Sequence, residues 1–308
     1  MRTIVAVVGG VWWLAAAALI ALRWVDGGVV VVALQCGIPL VGASLLLLLL
    51  MSAGARRWLL TGLTVVLLVP MVVLAWPWWV QPELAPPNED DTVVMTSNLL
   101  FGGADIDTIE QAVRRHDVDA LVLLEVTPDF LDRLDASDIP QALPHRSGAA
   151  RLDAGGTLVL TAQAHAPVPD SPVFFFDQVV VRVQPESEMG RPWVLFAAHP
   201  VPPTLPQWSE ELDALGTWQR AQPRQTPVVM AGDFNASSAH PALRRMHEGM
   251  ADAQRRTAPG WVRTWPHGRI IPAFVQLDHV FVRGWDVVDA GQVRIPGSDH
   301  DAVWARLG

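Results

Sequence analysis

Two polar residues, Asp233 and Asn235, directly follow an apolar run that ends in Gly232. The run, residues 227–231, is typical of a buried strand, and Gly232 permits a sharp turn where the chain leaves the sheet. Asp233 and Asn235 then lie on one side of a short extended segment, with Phe234 directed into the core. They offer a carboxylate that can take a proton and an amide that can hold an anionic oxygen. An Asx-type turn that closes the strand is the structural alternative.

The elements that must position such a pair alternate along residues 92–308. Strand-like runs cover residues 92–97, 119–124, 156–161, 173–183, 193–198, 227–231, 275–282 and 302–305, and helical patterns cover residues 105–116, 205–222 and 241–248. A short helix is also predicted to start near Thr127 and Pro128. This alternation predicts an α/β domain.

Polar residues cluster where these strands begin or end. Asn98, Glu125 and His199 each follow an apolar run, and Asp299 with His300 precedes the last one. In α/β folds the ends of strands form the binding site. Local capping explains one such residue, but it explains a repeated set of ligand-type and acid–base residues poorly.

Six motifs in this order resemble the endonuclease/exonuclease/phosphatase superfamily. They are Thr96-Ser97-Asn98, Leu124-Glu125, His199-Pro200, Gly232-Asp233-Phe234-Asn235, Leu277-Asp278-His279 and Ser298-Asp299-His300. The resemblance covers residues 93–308. It implies a two-sheet sandwich flanked by helices, with the site at one sheet edge. It also implies hydrolysis of a phosphoester with a divalent metal, Mg²⁺ or Mn²⁺.

The resemblance also implies a role for each residue. Glu125 is the main metal carboxylate and Asp299 lies near the metal, while Asn98 and Asn235 contact the phosphate or substrate. Asp233 positions and deprotonates water, His199 contacts the phosphate, His300 stabilises charge or protonates the leaving oxygen, and Asp278 orients a histidine. These types suit the chemistry, because Mg²⁺ takes oxygen ligands and N–H donors stabilise charged phosphate oxygens. The chain has no tyrosine, so no tyrosine can contact the phosphate and His199 must make this contact alone.

Several residues have a structural interpretation instead. Glu125 can be a buried, hydrogen-bonded carboxylate, although its companions favour a ligand. His279 follows Asp278 directly, so it lies on the other face of a strand and is expected to be packed or at the surface. Asp105 and Asp107 are expected to cap a helix. The remaining histidines carry no motif and are expected at the surface: His116, His145, His165, His240, His247 and His267.

Three uncharged apolar runs precede this domain, over residues 3–22, 29–51 and 58–80. Each has at least the roughly 20 residues that a membrane helix needs. A cleaved signal peptide is the alternative for the first run, but no small-residue cleavage site is evident and two more runs follow. The sequence thus predicts a three-span anchor over 1–80, a Pro-rich acidic linker over 81–92 and a catalytic domain over 93–308.

Basic residues in the short loops predict orientation in the cell membrane. Arg2, Arg56 and Arg57 favour the cytoplasm, so a multi-pass chain with three spans places the catalytic domain outside. Residues 85–308 hold 29 acidic residues against 18 arginines, whereas nucleic-acid binders usually show the opposite balance. The charge therefore gives no strong nucleic-acid signature.

The sequence predicts a membrane-anchored, divalent-metal-dependent phosphoesterase. Its substrate is a phosphodiester or phosphomonoester in nucleic acid, a phospholipid headgroup or a small phosphate ester. The alternative is a non-catalytic membrane protein whose outer domain binds a partner on the same scaffold. That scaffold has no need of Glu125, Asp233, Asn235, Asp299 and His300 together.

Overall fold

Two six-stranded mixed sheets, flanked by helices, form the α/β part of the protein. The computed structural model describes residues 2–76, 80, 83–169, 171–185, 190–257 and 260–308. The end of the third predicted span, residues 77–79, and the start of the predicted linker, residues 81 and 82, lie outside the described residues.

The helices and strands have the following bounds. The helices are α1 Arg2–Leu22, α2 Val29–Cys36, α3 Ile38–Gly54, α4 Trp58–Ala75, α5 Ile106–His116, α6 Pro128–Asp135, α7 Ile139–Ala142, α8 Trp208–Ala221, α9 Pro241–Met246 and α10 Ala253–Thr257. The strands are β1 Thr92–Asn98, β2 Ala120–Leu124, β3 His145–Ala149, β4 Thr157–Thr161, β5 His165–Pro167, β6 Val179–Val183, β7 Trp193–Ala198, β8 Val228–Asp233, β9 Ala251–Asp252, β10 Asp278–Arg283, β11 Val287–Arg294 and β12 Asp301–Leu307.

The first sheet has the order β11-β12-β1-β2-β4-β3, and the second has the order β5-β6-β7-β8-β10-β9. Within them, β1 and β2 are parallel, as are β7 and β8. Apolar side chains from both sheets, such as Val94, Val122, Leu195 and Val229, pack in one buried cluster between the sheets. The two inner strand pairs therefore end side by side, and this is where the predicted site residues lie.

Helices cover the outer faces. On the first sheet, Ile109 of α5 and Phe130 of α6 join one buried cluster, and on the second, Leu212 of α8 and Leu243 of α9 join another. The predicted cap at Asp105 is confirmed, because its carboxylate accepts from the Thr108 N–H at 3.0 Å. Thr127 caps α6 in the same way, by accepting from the Phe130 N–H at 3.3 Å.

Two strand predictions were too long. The strand predicted over 173–183 begins at Val179, because the preceding segment packs on α8, where the Phe175 N–H donates to Glu211 at 3.1 Å. The strand predicted over 275–282 begins at Asp278, because the Thr264 hydroxyl accepts from the Leu277 and Asp278 N–H groups. The edge strands β3 and β11 were not predicted, since neither has a continuous apolar face.

Two helices, Thr3–Leu22 and Trp58–Ala75, are long and apolar enough to cross a membrane. The second predicted span, residues 29–51, is not a single straight helix, and it passes the same test only if its two helices are taken together. This run forms α2 and α3, bent by 52° around Gly37. Pro39 explains the break, because proline lacks an N–H and its ring clashes with the carbonyl one turn earlier.

The segment between α1 and α2 contacts the α/β domain. Arg245 forms an ion pair with Asp26 at 2.7 Å, and Arg244 donates to the Arg23 carbonyl at 2.6 Å. The ring of His240 lies 3.2 Å from the Val32 carbonyl. The prediction that His240 is at the surface was therefore wrong, because this contact buries it.

Candidate active site

The turn after β8 places Asp233 beside its neighbours. A Cβ on Gly232 would lie 1.9 Å from the Ala198 carbonyl oxygen, so only glycine allows β7 and β8 to approach this closely. The Asp233 carboxylate accepts from the Asn235 N–H at 2.8 Å, and Phe234 is buried. The Asx-type turn considered as an alternative is therefore present, and the same aspartate takes part in the site.

Asn98, the last residue of β1, connects two carboxylates. Its side-chain amide donates to Glu125 and to Asp233, each at 3.1 Å, and its own oxygen accepts from the Leu100 N–H at 3.0 Å. The other oxygen of Glu125 accepts from the Phe101 N–H at 2.9 Å. Since β1 and β2 belong to one sheet and β8 to the other, Asn98 joins the two sheets at the site.

His300 lies between two aspartates. Its Nδ1 lies 2.8 Å from Asp278 Oδ2, and its Nε2 lies 3.6 Å from Asp233 Oδ2. Asp278 and Asp233 are themselves partners in the antiparallel pair of β10 and β8. The backbone N–H of His300 donates to the Ser298 hydroxyl, which donates in turn to the Asn98 carbonyl at 2.7 Å. This network fixes the imidazole at the junction of the two sheets.

Asp299 has a different set of contacts from the other predicted site residues. Its Oδ2 accepts from the Trp265 indole N–H at 3.2 Å and lies 3.6 Å from the Arg269 guanidinium. Its Oδ1 lies 3.9 Å from His300 Nε2. Asp299 therefore borders the cluster and links it to the segment that begins at Trp265.

His199 and Asn235 occupy the loop side of the site. Gln178 holds the His199 backbone by accepting from its N–H and donating to its carbonyl, at 2.9 and 3.0 Å. The His199 ring packs on Phe176, and its buried Nδ1 has no hydrogen-bond partner among the described residues. The Asn235 amide donates to the Pro200 carbonyl at 3.0 Å, so it braces the loop after His199.

Burial and neighbouring charges shift the pKa values of the groups in this cluster in different directions. Burial lowers the pKa of His199 to about 4, so its imidazole is neutral at pH 7. Burial also tends to lower the pKa of His300, but the negative charges of Asp278 and Asp233 raise it to about 10, so His300 is protonated. Burial raises the pKa values of Asp233 and Glu125. A charged histidine, a neutral histidine and two carboxylates of raised basicity thus lie together.

The cluster has the composition of a metal site. Ligand-type atoms of Asp233, Asp278 and His300 lie within 4.8 Å of one another, and all three residues are buried. His300 also lies close enough to compensate the charge of both aspartates. Glu125, which accepts from the Asn98 amide beside Asp233, offers an oxygen ligand of the type that Mg²⁺ prefers.

The predicted site residues therefore lie close together in the structure. Asp278 contacts His300 and not His279, which is packed in the core with its ring 2.9 Å from Asp252 and 3.0 Å from the Ala236 carbonyl. Gln178, Trp265 and Arg269 were not predicted as site residues. None of them belongs to a motif, and their positions follow from loops whose course no local pattern indicates.

Comparisons with known proteins identify the family and the fold. The model of the Endonuclease/Exonuclease/phosphatase family matches residues 95–300. No curated protein gives a significant match to the chain.

Among solved structures, an endonuclease/exonuclease/phosphatase from Beutenbergia cavernae DSM 12333 is similar with a TM-score of 0.55 and 21% identity, covering 70% of this chain and 71% of that one. D. rerio TDP2 complexed with single strand DNA product has a TM-score of 0.54 and 13% identity, covering 71% and 100%. Truncated Caenorhabditis elegans TDP2 has a TM-score of 0.53 and 18% identity, covering 71% and 98%. At these identities the likeness shows a shared fold. With the family model matching two thirds of its length, the chain belongs to the Endonuclease/Exonuclease/phosphatase family.

Proposed function

We propose that this protein is a metal-dependent phosphoester hydrolase whose active site is the cluster around Asp233. The observation that carries the proposal is the unbroken chain of contacts from Glu125 through Asn98 and Asp233 to His300 and Asp278. Family membership supports the reaction class, because the family consists generally of hydrolases that act on phosphoester bonds. The substrate itself is not identified by the family.

The residues fit a divalent metal, Mg²⁺ or Mn²⁺. Glu125 is the proposed main ligand, and Asp299 is the second candidate carboxylate. When bound, the metal would neutralise phosphate charge. Glu125 and Asp233 each lie 3.1 Å from the Asn98 side-chain amide, so a half-buried and a buried carboxylate lie close together, an arrangement that a cation stabilises.

The chain's own residues supply the proton transfers. Asp233, with its raised pKa, is the proposed acceptor for the proton of the attacking water. His300 carries a proton and is held by Asp278, so it is suited to stabilise a phosphate oxygen or to protonate the leaving oxygen. Asn98, Asn235 and His199 are the proposed contacts to the phosphate. His199 suits this role because its buried Nδ1 lacks a partner among the described residues.

The proposed arrangement in the cell is a multi-pass anchor over 1–80, a linker over 81–92 and an extracytoplasmic domain over 93–308. The contacts of Arg244 and Arg245 support three crossings. They support a position of the loop between α1 and α2 on the same side as the α/β domain. The chain returns to that side through α4, which has 18 residues and spans about 27 Å. The α2–α3 pair must then cross in the opposite direction.

A hydrolysis assay on the full chain in detergent tests the function. The assay uses a panel of phosphomonoesters and phosphodiesters with Mg²⁺, with Mn²⁺ and with a chelator. Turnover that disappears with chelator and returns with metal is the expected result. A folded protein that binds phosphoesters without cleaving any of them would favour the non-catalytic binding scaffold instead.

A further inference from the structure

An apolar cavity of about 370 Å³ lies between the membrane helices and the α/β domain. One wall comes from α3 and α4. The other comes from the residues after Asn235 and from the segment before β10. Its lining includes Gly42, Met71, Ser238, Ala239, Trp261 and Phe274. The two walls belong to different parts of the fold, so the cavity exists only where the domain rests on the helices.

Trp265 connects the wall of this cavity to the catalytic cluster. The ring of Phe274, in the cavity wall, lies 6.4 Å from the ring of Trp265. Trp265 also contacts the site: its ring lies 6.5 Å from the His300 ring, and its indole N–H donates to Asp299. The rings of Phe274, Trp265 and His300 therefore form a continuous series of neighbours from the cavity wall to the site.

The loop that joins Trp265 to Phe274 has an apolar tip. Ile270 is fully exposed and Ile271 is 62% exposed, directly after Arg269, which contacts Asp299. Scattered exposed apolar residues are ordinary on protein surfaces. Here the two are adjacent, they belong to a loop that contacts the site, and the same loop ends in the cavity wall beside α3 and α4. The loop that carries these two exposed isoleucines therefore contacts both the site, through Arg269, and the cavity wall, through Phe274.

Other segments that contact the site also expose large apolar side chains. Phe101, whose N–H donates to Glu125, is 57% exposed. Phe175, which precedes the Phe176 ring against His199, is 62% exposed. An apolar rim suits a substrate with hydrocarbon near its phosphate. The domain as a whole suits a nucleic acid poorly, because the acidic residues of 85–308 outnumber the arginines.

We infer that the substrate is an amphiphilic phosphoester, a lipid whose phosphate binds at the Asp233 cluster while a hydrocarbon chain occupies the cavity between the domain and the membrane helices. This inference rests on the proposed function and adds the substrate class. In the reaction, the water oxygen bonds to phosphorus and the ester P–O bond breaks. The water's proton goes to Asp233, and the leaving group departs as the alcohol or its anion.

The test compares two esters that differ only in chain length. The full chain in one detergent hydrolyses ethyl and dodecyl 4-nitrophenyl phosphate, or ethyl and dodecyl phosphate if it cleaves monoesters alone. We expect kcat/KM to be at least about 10²-fold higher for the dodecyl ester, because each buried methylene favours binding. Partition into micelles raises the apparent rate for a long ester too, so the decisive quantity is how this ratio changes in variants.

Gly42→Leu fills the cavity and should lower the dodecyl-to-ethyl ratio at least tenfold. Gly62→Leu is the matched control in α4, because a Cβ there meets nothing within 4 Å and Gly62 does not line the cavity, so the ratio should stay the same. Ser238→Leu narrows the cavity from the domain side and replaces Gly42→Leu if that variant does not fold. Equal ratios in all variants, with turnover intact, would overturn the inference and leave the proposed function standing. No turnover of either ester would overturn both.

Discussion

His300 Nδ1 lies 2.8 Å from Asp278 Oδ2, and the strand that carries Asp278 pairs with the strand that carries Asp233. The histidine is therefore held on one side by the carboxylate that orients it and faces, on the other, the carboxylate proposed to act as base. This relationship makes the protonation of His300 depend on both aspartates.

Asp278→Asn tests that dependence. The amide keeps the size of the side chain but removes the charge that holds the proton on His300. We expect kcat to fall by about 10²-fold or more. We also expect the alkaline limb of the pH–rate profile to move to lower pH, because loss of Asp278 lowers the pKa of His300. A lower melting temperature with an unmoved pH profile would show that Asp278 has only a structural role.

Asp233→Asn separates catalysis from the turn. An asparagine oxygen can still accept from the Asn235 N–H, so the melting temperature should change little. Because the amide cannot take the proton of water, kcat should fall by about 10²-fold or more. Asp233→Ala should also destabilise the fold by about 1 kcal/mol or more, since it leaves the Asn235 N–H without its acceptor. A fully active Asp233→Asn would exclude Asp233 as the base.

A double-mutant cycle tests whether Asp233 and His300 serve one step. We expect His300→Ala alone to lower kcat by about 10²-fold or more. Combined with Asp233→Asn, the loss should be much smaller than the product of the two single losses, because residues that act as a unit are not additive. Independent, multiplying losses would mean that the two residues act in separate steps.

Glu125→Gln tests the proposed metal ligand. The amide preserves the shape and the contact with the Phe101 N–H but removes the negative charge. We expect weaker Mg²⁺ binding by calorimetry with little change in melting temperature. Glu248→Gln, at an exposed position outside the site, is the control and should bind Mg²⁺ like the unmodified protein. Equal affinity in the two variants would remove Glu125 from the metal shell.

The lowered pKa of His240 makes the free energy of unfolding depend on pH. Burial lowers its pKa to about 4, whereas an unfolded histidine has a pKa near 6.5. Arg244, Arg23 and His279 lower it further, while the Val32 carbonyl opposes them. Between these pKa values the unfolded chain binds a proton that the folded protein excludes. Stability from this group is therefore complete above pH 6.5 and is lost as pH falls toward 4, by at most about 1.4 kcal/mol per pH unit.

His240→Gln should flatten this part of the stability curve in thermal melts at pH 4 to 7. His145→Gln, on the edge strand β3, is the matched control. A curve for His240→Gln that keeps the slope of the unmodified protein would contradict the assignment to His240.

A reporter that is active only in the cytoplasm tests the orientation. Fused after Leu84, it should give no signal, because three crossings with Arg2, Arg56 and Arg57 inside place residue 84 outside. Fused between Arg56 and Arg57, the same reporter should be active. The reverse pattern would invert the proposed topology.

Much of the site could be predicted from the sequence because its residues follow strand ends. Asn98, Glu125 and Asp233 each stand where an apolar run stops, and parallel neighbours bring such positions to one edge. Trp265 and Arg269 could not be predicted, since their contacts with Asp299 depend on the path of an irregular loop. The burial of His240 was missed for a similar reason, because its partner Val32 is 208 residues away.

The middle apolar run shows the limit of composition. Hydropathy indicates that residues 29–51 are apolar enough to span a membrane, but it does not indicate whether the helix bends. Pro39 breaks the helix while leaving the apolar character unchanged. The edge strands β3 and β11 show the same limit in the sheets, since an edge strand can pair without an apolar pattern of its own.

The contact between His240 and Val32 links the loop that carries Asp233 and Asn235 to the apolar N-terminal helices. Residues 237–240 follow Asn235 within one short turn, and their far end bonds to the start of α2. A change in bilayer thickness that tilts α2 would pull on the same loop that carries Asp233 and Asn235. Turnover should therefore vary with the acyl-chain length of the host membrane. A fragment that begins at residue 92 would lose this dependence, because it lacks the helices that the domain contacts.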